Sequence, residues 1–551
     1  MNRTTNRNLP WVPAAALLVL VAIVGFRTLP DYGISWDESN HIHEVQELVQ
    51  SIREGTGLSD NQGHYGQLFN LIGEASYRVL SRFHTIDPEQ KHRAPYRRAV
   101  VRHVLTLCTS LLTIALACGI GHALGGYPLG VLGGAILVLM PRFWGHSFYN
   151  AKDIPFAAAF TLVSFLAPLI VRRILAAKRG PARMAGFGLF GLLVGFGSAT
   201  RLGLAVCLVL LPVLIVMMGR GKPSARNPAL LGLGLLVTAA AWLVTTVALH
   251  PASYASPFTW LQNSLIYFSH HPFDAPVLFE GEIYPADRLP RRYVAVYLWR
   301  TTPVIWFLLG LGGIILALLR WRSLDPLRRG FVVALLFQIF ALPCYAFVKH
   351  ATVYDGIRQF LFILPALAAF ASYAVVSLHE AAGPKGRVIL WSLLVLYAGT
   401  VVREMRELHP YEATYFHEPI GGIVGARNDF ELDYWGLSMR ACAEYVSSVA
   451  DSGDGVVLGG NPAGTRAFLD WNLRPLYWED YRDGGGDGDY RYYIGLRRTE
   501  LFLQFPASPV VYAVERKGVV LCQVKELAPE EKITQTGINR SAVPAPPHFP
   551  E

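Results

Sequence analysis

Two adjacent carboxylates, Asp37 and Glu38, follow Ser35 and Trp36 directly after an apolar segment. A structural explanation covers Glu38, because a serine followed three residues later by a glutamate forms a capping box at a helix N-terminus. The first turn of a helix also favours an acid at Asp37. A functional explanation makes Asp37 a general base, since a carboxylate at such an edge can take a proton from a substrate hydroxyl. Spacing alone leaves both explanations open.

A second group of reactive side chains comes at Lys152 and Asp153, with His146 and Tyr149 a few residues earlier. Asp153 stands two residues before Pro155, and an acid in the first turn of a helix explains it structurally. A Lys-Asp pair beside an apolar segment is nevertheless costly to place without a partner or a task. The structural and functional explanations therefore stay open for this pair as well.

Arginines form a third set of candidates, at Arg201, Arg291, Arg292 and Arg358. Each can be explained by snorkelling, in which a long side chain reaches water from the edge of an apolar segment. Arg201 fits this explanation least well, because it interrupts two apolar runs on the side where membrane proteins carry few cations. A guanidinium at that place can bind a phosphate through two parallel hydrogen bonds.

Metal binding has little support in the sequence. His41 and His43 form an HxH pair, but two residues so spaced on a helix point to different faces. The other histidines show no HxxxH spacing, and the six cysteines form no CxxC pair. Cys442 and Cys522 both lie in the C-terminal part, where a disulfide is permitted but not indicated.

The elements that must position these residues are apolar segments. The 551-residue chain is 52% hydrophobic and only 16% charged, whereas soluble proteins carry about 25% charged residues. Since a membrane span needs about 20 apolar residues, we predict an all-α polytopic membrane protein with about eleven transmembrane helices. The predicted spans cover residues 11–29, 100–122, 124–140, 154–171, 185–199, 203–219, 228–249, 303–319, 330–348, 360–378 and 388–402.

The distribution of lysine and arginine predicts the orientation. With a cytoplasmic N-terminus, the inner loops hold about sixteen basic residues and the short outer loops about five. The net charge of +9 divides accordingly: residues 404–551 hold 22 acidic and 14 basic residues, and the rest of the chain holds 18 and 35. The basic excess therefore follows membrane topology, and we expect no nucleic-acid partner.

Three regions lie outside the predicted spans. The first outer loop, residues 30–98, has apolar residues at helical spacing in 42–52 and 65–79, which predicts two amphipathic helices on the membrane surface. The second outer loop, residues 250–302, is aromatic without periodicity. Residues 1–403 would thus form the transmembrane domain, 404–530 a small extracytoplasmic α/β domain, and 531–551 a disordered tail. In the α/β domain we predict helices at 438–449 and 462–469, a strand at 455–458 and a hairpin of 510–516 with 519–524.

The order of several short motifs on this topology resembles that of a known family. The motifs are Gly33-Ile34-Ser35-Trp36-Asp37-Glu38, Pro141-Arg142-Phe143, Tyr149-Asn150-Ala151-Lys152-Asp153-Ile154-Pro155-Phe156, Tyr354-Asp355-Gly356-Ile357-Arg358-Gln359-Phe360-Leu361-Phe362, His409-Pro410-Tyr411-Glu412 and Glu431-Leu432-Asp433-Tyr434-Trp435-Gly436. Over roughly residues 10–440 the chain resembles the C-type (GT-C) integral-membrane glycosyltransferases. The bacterial branch related to dolichyl-phosphate-mannose protein mannosyltransferases and lipid A aminoarabinose transferases is the most similar.

The resemblance implies a polyprenyl-phosphate-linked sugar as donor, inversion at the anomeric carbon, and an active site at the outer face of the membrane. It places the catalytic acid of the family on Asp37 and the second acid on Asp153. The C-terminal part departs from the mannosyltransferases, so a lipid, a glycan and a protein all stay open as acceptor. A requirement for a divalent cation also stays open. Our own inference adds candidate substrate-binding residues: Glu38, Tyr149, Lys152, Arg201, Arg291, Arg292 and Arg358.

We therefore predict a glycosyltransferase in the bacterial inner membrane, with Asp37 as the base of a single displacement. A polytopic transporter of a lipid-linked or small anionic substrate is the main alternative. Transporters usually place ionisable residues near the midplane in broken helices of paired repeats, whereas these candidates stand at predicted outer ends. A membrane-anchored sensor is a third alternative, which leaves the two long outer loops unexplained.

Overall fold

A computed structural model describes residues 11–54, 62–83, 94–220, 227–269, 271, 273, 275–486 and 489–531. The predicted disordered tail, residues 531–551, lies outside the described residues from 532 onward. The fold up to residue 408 is built from helices, with one short hairpin. In chain order these elements are α1 Val12–Thr28, α2 Trp36–Glu54, α3 Leu68–Ser81, α4 Ala94–Gly125, α5 Tyr127–Val138, α6 Pro141–Tyr149, α7 Asp153–Ala176, α8 Gly180–Ser198, α9 Leu210–Met218, α10 Pro228–Ala248, α11 Pro257–Ser269, β1 Pro276–Phe279, β2 Glu282–Pro285, α12 Tyr293–Thr301, α13 Val304–Leu319, α14 Pro326–Lys349, α15 Ile363–Ala381 and α16 Pro384–Leu408.

Among the described residues, seven helices are long and apolar enough to cross a membrane, or nine if two bent pairs count as single spans. The predicted fold class, a polytopic helical membrane protein with a small C-terminal α/β domain, is confirmed. The count of nine is lower than the predicted eleven because two predicted spans are not helices both long and apolar enough to cross a membrane. Glycine-rich α8 is one, and α9, which follows the 3₁₀ helix Leu202–Val209, is the other.

The bent pair of α5 and α6 corrects the sequence prediction at the third span. Residues 124–140 were predicted to form one span followed by an outer loop, but α5 ends at Val138 and α6 leaves it at 72°. Met140 has the extended backbone that a residue before proline favours, and Pro141 starts α6. All nine residues of α6 are buried. The supposed loop that carries His146 and Tyr149 is therefore a packed helix.

Small residues let the spans approach one another closely. A Cβ atom added at Gly313 of α13 would stand 1.9 Å from the carbonyl oxygen of Phe370 in α15. One added at Gly310 would stand 2.3 Å from Leu367 Cδ1 of the same helix. Close backbone packing of this kind holds helices together where burial of apolar surface gives no driving force.

The C-terminal domain is a five-stranded mixed sheet with short helices. Its elements are α17 Gly422–Ala426, α18 Met439–Val449, β3 Gly455–Gly459, α19 Pro462–Arg466, β4 Arg474–Tyr477, α20 Trp478–Arg482, β5 Tyr490–Leu496, β6 Val510–Arg516 and β7 Val519–Glu526. The strand order is β4-β3-β5-β7-β6, with β3 parallel to both neighbours and the remaining pairs antiparallel. The predicted hairpin forms across Lys517 and Gly518, which both have positive φ, 53° and 73°. Strands β4 and β5 were not predicted from the sequence.

The candidate residues share one end of the helical bundle, which we call the tail side because the C-terminal domain packs there. Asn461 in that domain donates a hydrogen bond to the carbonyl oxygen of Ile34 just before α2 (2.8 Å). Lys178, at the other end of α7 from Asp153, belongs to a basic cluster. The positive-inside rule places such clusters in the cytoplasm.

We therefore expect a reporter that works only outside the cytoplasm to be active when fused after Glu551 and inactive when fused after Lys178. Both fusions keep every predicted span upstream of the junction intact, so the expected contrast depends on topology alone. Activity of the Lys178 fusion together with silence of the Glu551 fusion would reverse the orientation and contradict an outer-face site.

Candidate functional site

Glu38 has the structural role that its spacing predicted. The backbone N–H of Ser35 donates to Glu38 Oε2 at 2.8 Å, which is the glutamate half of a capping box at the start of α2. His103 of α4 places Nε2 2.9 Å from Glu38 Oε1, and both side chains are 1% exposed. Glu38 is thus held inside the protein between its own helix start and α4.

Asp37 points instead to a cationic group on another part of the chain. Arg358 donates from Nη1 to Asp37 Oδ2 at 2.6 Å, and the Asp37 side chain keeps 26% of its surface exposed. Burial raises the pKa of Asp37, but Arg358, His41 and Lys152 outweigh it and hold that pKa well below its usual range. Asp37 is therefore ionised at neutral pH and is held by an ion pair.

Arg358 is the centre of a longer chain of ion pairs. Its Nη2 lies 3.1 Å from Asp355 Oδ2, and Arg498 of the C-terminal domain donates to Asp355 Oδ1 at 2.8 Å. The guanidinium of Arg358 also lies over the rings of Trp435, at 4.7 Å, and Tyr354, at 4.9 Å. Arg358 is therefore fixed from two sides while one nitrogen reaches Asp37.

The backbone at Asp355 is strained in a way that serves this arrangement. Asp355 has φ of 56°, a left-handed backbone conformation that residues other than glycine adopt uncommonly. Gly356 follows with φ of 67°. The N–H of Gly356 donates to Tyr293 Oη at 2.9 Å. Two arginines on the Asp355 carboxylate offset the cost of this conformation.

The second acid, Asp153, is held by the side chain of Asn150 and by an ion pair. Asn150 Oδ1 accepts from the backbone N–H of Asp153 at 2.9 Å, and Asn150 Nδ2 donates to Asp153 Oδ2 at 3.0 Å. Arg201 Nη1 donates to the other oxygen, Oδ1, at 2.6 Å. Arg201, which ends one apolar run and begins the next, therefore has a specific partner and is not only snorkelling.

Lys152 is close enough to both arginine–aspartate pairs for the charges of all four side chains to shift its pKa. Its Nζ stands 3.8 Å from the ring centre of Tyr65, in the loop before α3, and it makes no ion pair with any described residue. Burial lowers the pKa of Lys152 to about 8, with Arg201 and Arg358 acting in the same direction and Asp37 and Asp153 against it. An anion placed here would raise that pKa and hold Lys152 more firmly in the charged ammonium form.

Tyr149 and His146 have packing roles. Tyr149 is fully buried, and its ring lies 5.6 Å from that of Trp435 and 6.0 Å from that of Tyr32. Trp435 donates from Nε1 to His146 Nε2 at 3.1 Å, so His146 Nδ1 carries the proton and donates to the carbonyl oxygen of Arg142 at 2.7 Å. These contacts join α6 to the start of the C-terminal domain.

Arg291 and Arg292 are not brought to this cluster. Arg291 Nε lies 2.5 Å from His350 Nε2, and Arg292 pairs with Glu280 at 2.8 Å beside the β1–β2 hairpin. The Arg292 side chain is 60% exposed. Their proposed part in substrate binding has no geometric support in the described structure.

No metal centre is formed by the part of the chain that the structure describes, where no three His, Cys, Asp or Glu side chains converge. His41 is 8% exposed, whereas His43 projects outward to Glu47, so the HxH pair does point to different faces. Cys442 and Cys522 are both buried as free thiols.

Arg498 is a residue of the site that was not predicted from the sequence. It donates to the carbonyl oxygen of Tyr434 and to Asp355, each at 2.8 Å, from the segment between β5 and β6. A signal existed, since Arg497-Arg498 is a cationic pair in an acidic domain, but nothing in the sequence linked that pair to Asp355, 143 residues earlier.

We expect Arg498→Ala to lower turnover by about tenfold, because Asp355 would lose one of its two cations and Arg358 would be drawn away from Asp37. Arg497→Ala, one residue earlier, is the matched control, since Arg497 contacts backbone oxygens of Val520 and Arg427. The measurement is the initial rate of both variants at equal amounts of monodisperse protein. Equal rates for both variants would show that the C-terminal domain does not act on the site.

The architecture and the site define a class: a polytopic membrane protein with the fold of the C-type glycosyltransferases, as the motifs implied. The chain is similar to two crystal structures of ArnT from Cupriavidus metallidurans, one in the apo state and one bound to undecaprenyl phosphate. They give TM-scores of 0.51 and 0.52 at 12% identity, and each covers 95% of this chain and 99% or 100% of ArnT. The Archaeoglobus fulgidus oligosaccharyltransferase in the apo form gives a TM-score of 0.49 at 10% identity, with 87% of this chain and 69% of that one covered. No protein-family model and no curated protein matches the sequence.

Proposed function

We propose that this protein transfers a sugar from a polyprenyl-phosphate-linked donor to an acceptor hydroxyl at the outer face of the membrane. The observation that carries the proposal is the tail-side cluster in which Arg358 and Arg201 each hold an acid, with Lys152 near enough to feel the charges of both pairs. Three cations beside two acids suit a reaction that needs a base for the acceptor and positive charge for a leaving phosphate. The fold shared with ArnT, one structure of which holds undecaprenyl phosphate, supports a lipid-phosphate donor.

The reaction is a single displacement. Asp37 takes the proton of the acceptor hydroxyl, whose oxygen forms a bond to the anomeric carbon as the bond from that carbon to the phosphate oxygen breaks. The polyprenyl phosphate leaves with both bonding electrons, and the attack from the opposite face inverts the anomeric centre. Arg358, Arg201 and Lys152 stabilise the negative charge that grows on the leaving phosphate.

The resting geometry implies that the donor activates the base. An aspartate in a 2.6 Å ion pair is ionised but weakly basic, because protonation would forfeit the attraction to Arg358. A phosphate bound beside Arg358 competes for the same guanidinium and weakens its hold on Asp37. Asp37 then becomes a better proton acceptor only when a donor is present, so an acceptor hydroxyl is not deprotonated without one.

Asp153 fits a positioning role in this scheme. Both of its oxygens are already occupied, by Arg201 and by Asn150, and it is 3% exposed. It therefore orients Arg201 toward the place where the phosphate would bind, and Asp37, with its more exposed side chain, is the better proton acceptor.

The experiment is to incubate purified protein with a panel of polyprenyl-phosphate sugars and candidate acceptors, and to measure release of polyprenyl phosphate. We expect release from one donor that depends on an acceptor. Movement of an intact lipid-linked substrate across proteoliposome membranes, with no phosphate released from any donor, would instead support a transporter.

A further inference from the structure

A polar cluster that the proposed mechanism does not use lies where α1 and α16 end. His409 is the first residue after α16, and its ring lies between two carboxylates from different parts of the chain. Nε2 is 2.9 Å from Asp31 Oδ2, at the end of the short 3₁₀ helix that follows α1. Nδ1 is 2.8 Å from Oε1 of Glu412, a buried side chain. His409 therefore joins the segment after α1 to the segment after α16, and we call these two contacts the His409 anchor.

The two contacts of the anchor need the protonated form of the ring. A neutral imidazole carries one N–H and offers a lone pair at its other nitrogen, whereas an imidazolium donates from both. Since each ring nitrogen of His409 faces a carboxylate oxygen, a neutral ring would set its lone pair against one of them. Burial lowers the pKa of His409, but Glu412 and Asp31 outweigh burial and raise that pKa above its ordinary value. Geometry and charge therefore both favour the imidazolium ion.

The other polar groups packed here do not compete for the His409 ring. Tyr32 donates from its hydroxyl to both oxygens of Glu412, at 2.9 and 3.0 Å, and its ring stands edge-on to that of His409. Arg516 of β6 donates to the backbone carbonyl oxygen of His409 and not to the ring. Three further charged groups at this end of α16 pair with one another: Lys517, Glu404 and Glu407. Among the described residues, Asp31 and Glu412 are thus the carboxylates within ion-pair distance of the ring.

The segment held by the anchor leads directly to Asp37. Tyr32, which follows Asp31, is fully buried, and its carbonyl oxygen accepts a hydrogen bond from Arg440 Nη1 of α18 at 3.1 Å. The N–H of Trp36, next to Asp37, donates to the carbonyl oxygen of Trp435 at 3.0 Å. Because these contacts lie within a few residues of one another, a shift at the anchor changes where Asp37 lies.

We propose that protonated His409 is a positioning residue, which holds Asp31 to Glu412 and thereby keeps Asp37 in place beside Arg358. When His409 loses its proton, one carboxylate loses its partner and the segment before α2 is held less firmly. His409 acts through this segment and does not touch the reacting groups. The proposal rests on the proposed function for the catalytic meaning of Asp37, but the hold on the segment can be measured without turnover.

The direction of the pH effect follows from the charge of the ring. The folded-state pKa of His409 is raised above the ordinary value of about 6.5. The stabilisation by the anchor is therefore complete below about pH 6.5 and is lost as the pH rises through the folded-state pKa. The segment before α2 should accordingly loosen on the alkaline side, whereas Asp37 loses its proton-accepting form on the acid side.

The test is hydrogen–deuterium exchange of the full-length protein in detergent micelles, read by mass spectrometry on peptides that cover residues 31–38. Wild type and His409→Gln are compared at the same pH, so that the intrinsic exchange rate cancels. At about pH 6, where His409 is charged, we expect His409→Gln to exchange about three- to tenfold faster, because glutamine is uncharged and the anchor is partly exposed. At about pH 9 the difference should vanish, because the wild-type ring is then neutral as well.

A second variant alters the pH at which the hold is lost. Asp31→Asn keeps His409 but removes one of the two carboxylates that raise its pKa, so the loss of protection should begin at lower pH than in wild type. The Asp31 side chain is half-exposed, so the fold should tolerate the change. His43→Gln is the matched control, since it removes an exposed histidine–carboxylate pair with Glu47 on α2. We expect it to exchange like wild type at every pH.

The outcomes separate the two proposals. A difference between wild type and His409→Gln that is the same at every pH, or no difference at all, overturns the proposal, and so does an unchanged pH of loss in Asp31→Asn. If His409→Gln elutes as aggregate, Asp31→Asn decides the result. The expected exchange in a protein that consumes no lipid-linked donor supports the His409 anchor and contradicts the transfer reaction.

Discussion

Asp37→Asn is expected to lower turnover by about 10²-fold or more, the usual contribution of a general base. Asparagine keeps the shape of the side chain and still accepts a hydrogen bond from Arg358, so the 2.6 Å contact and the fold should survive. The variant loses the negative charge and the oxygen that takes the proton. The measurement is kcat for sugar transfer under donor saturation, together with the unfolding temperature of the purified variant.

Glu38→Gln is the matched control, because Glu38 is the neighbouring carboxylate. Glutamine can still accept from the Ser35 N–H, the contact that fixes the start of α2. We expect Glu38→Gln to lower turnover far less than Asp37→Asn does. Any effect of Glu38→Gln should appear as a lower unfolding temperature. If Glu38→Gln abolishes turnover while Asp37→Asn keeps most of it, the base assignment is reversed and the capping argument fails.

Arg358→Lys is expected to weaken use of the donor strongly, because a lysine cannot make the bidentate contact that a guanidinium makes with a phosphate. Loss of one charge-assisted contact corresponds to about 1.5–3 kcal/mol, or roughly 10- to 150-fold in kcat/KM for the donor. Arg201→Lys should behave in the same way. Lysine keeps the positive charge, so neither Asp37 nor Asp153 is left as an uncompensated buried acid.

Arg292→Lys controls for a general effect of replacing arginine, since its partner Glu280 lies at the exposed hairpin. A second readout is the pH profile of kcat/KM. Arg358 holds the pKa of Asp37 low. The wild-type kcat/KM should therefore persist as the pH falls through about 4, the usual pKa of an aspartate. Arg358→Gln should raise that pKa and move the loss of rate to higher pH. Full donor use by both lysine variants would show that the phosphate binds elsewhere.

Much of the fold could be predicted because apolar segments and amphipathic periods are local signals. Helices α2 and α3 were expected from residues 42–52 and 65–79, and the β6–β7 hairpin from its alternating strands around Lys517-Gly518. The bend between α5 and α6 was not expected, although Pro141 marks its position. Hydropathy identifies an apolar segment but does not show whether its helix axis changes direction. Strand β4 was missed because Pro475 interrupts a short run that only its parallel pairing with β3 stabilises.

The candidate site divides in the same way. Asp37, Asp153, Arg201 and Arg358 could be proposed from residue type and motif, but their pairing could not. Arg358 stands 321 residues after Asp37, and only the folded chain shows that the two side chains meet. Ion pairs between such distant residues leave no periodic trace in one sequence, so the sequence could not distinguish Arg358 from Arg292.

The most direct test of the account is the quantity of polyprenyl phosphate that the wild-type protein and Asp37→Asn release from the same lipid-linked donor, measured by mass spectrometry alongside the glycosylated acceptor. We expect wild type to form the two products in equal amounts, and Asp37→Asn to bind the donor but form at most about a hundredth as much of either. Release of no polyprenyl phosphate from any donor, or equal release by wild type and variant, would contradict the account.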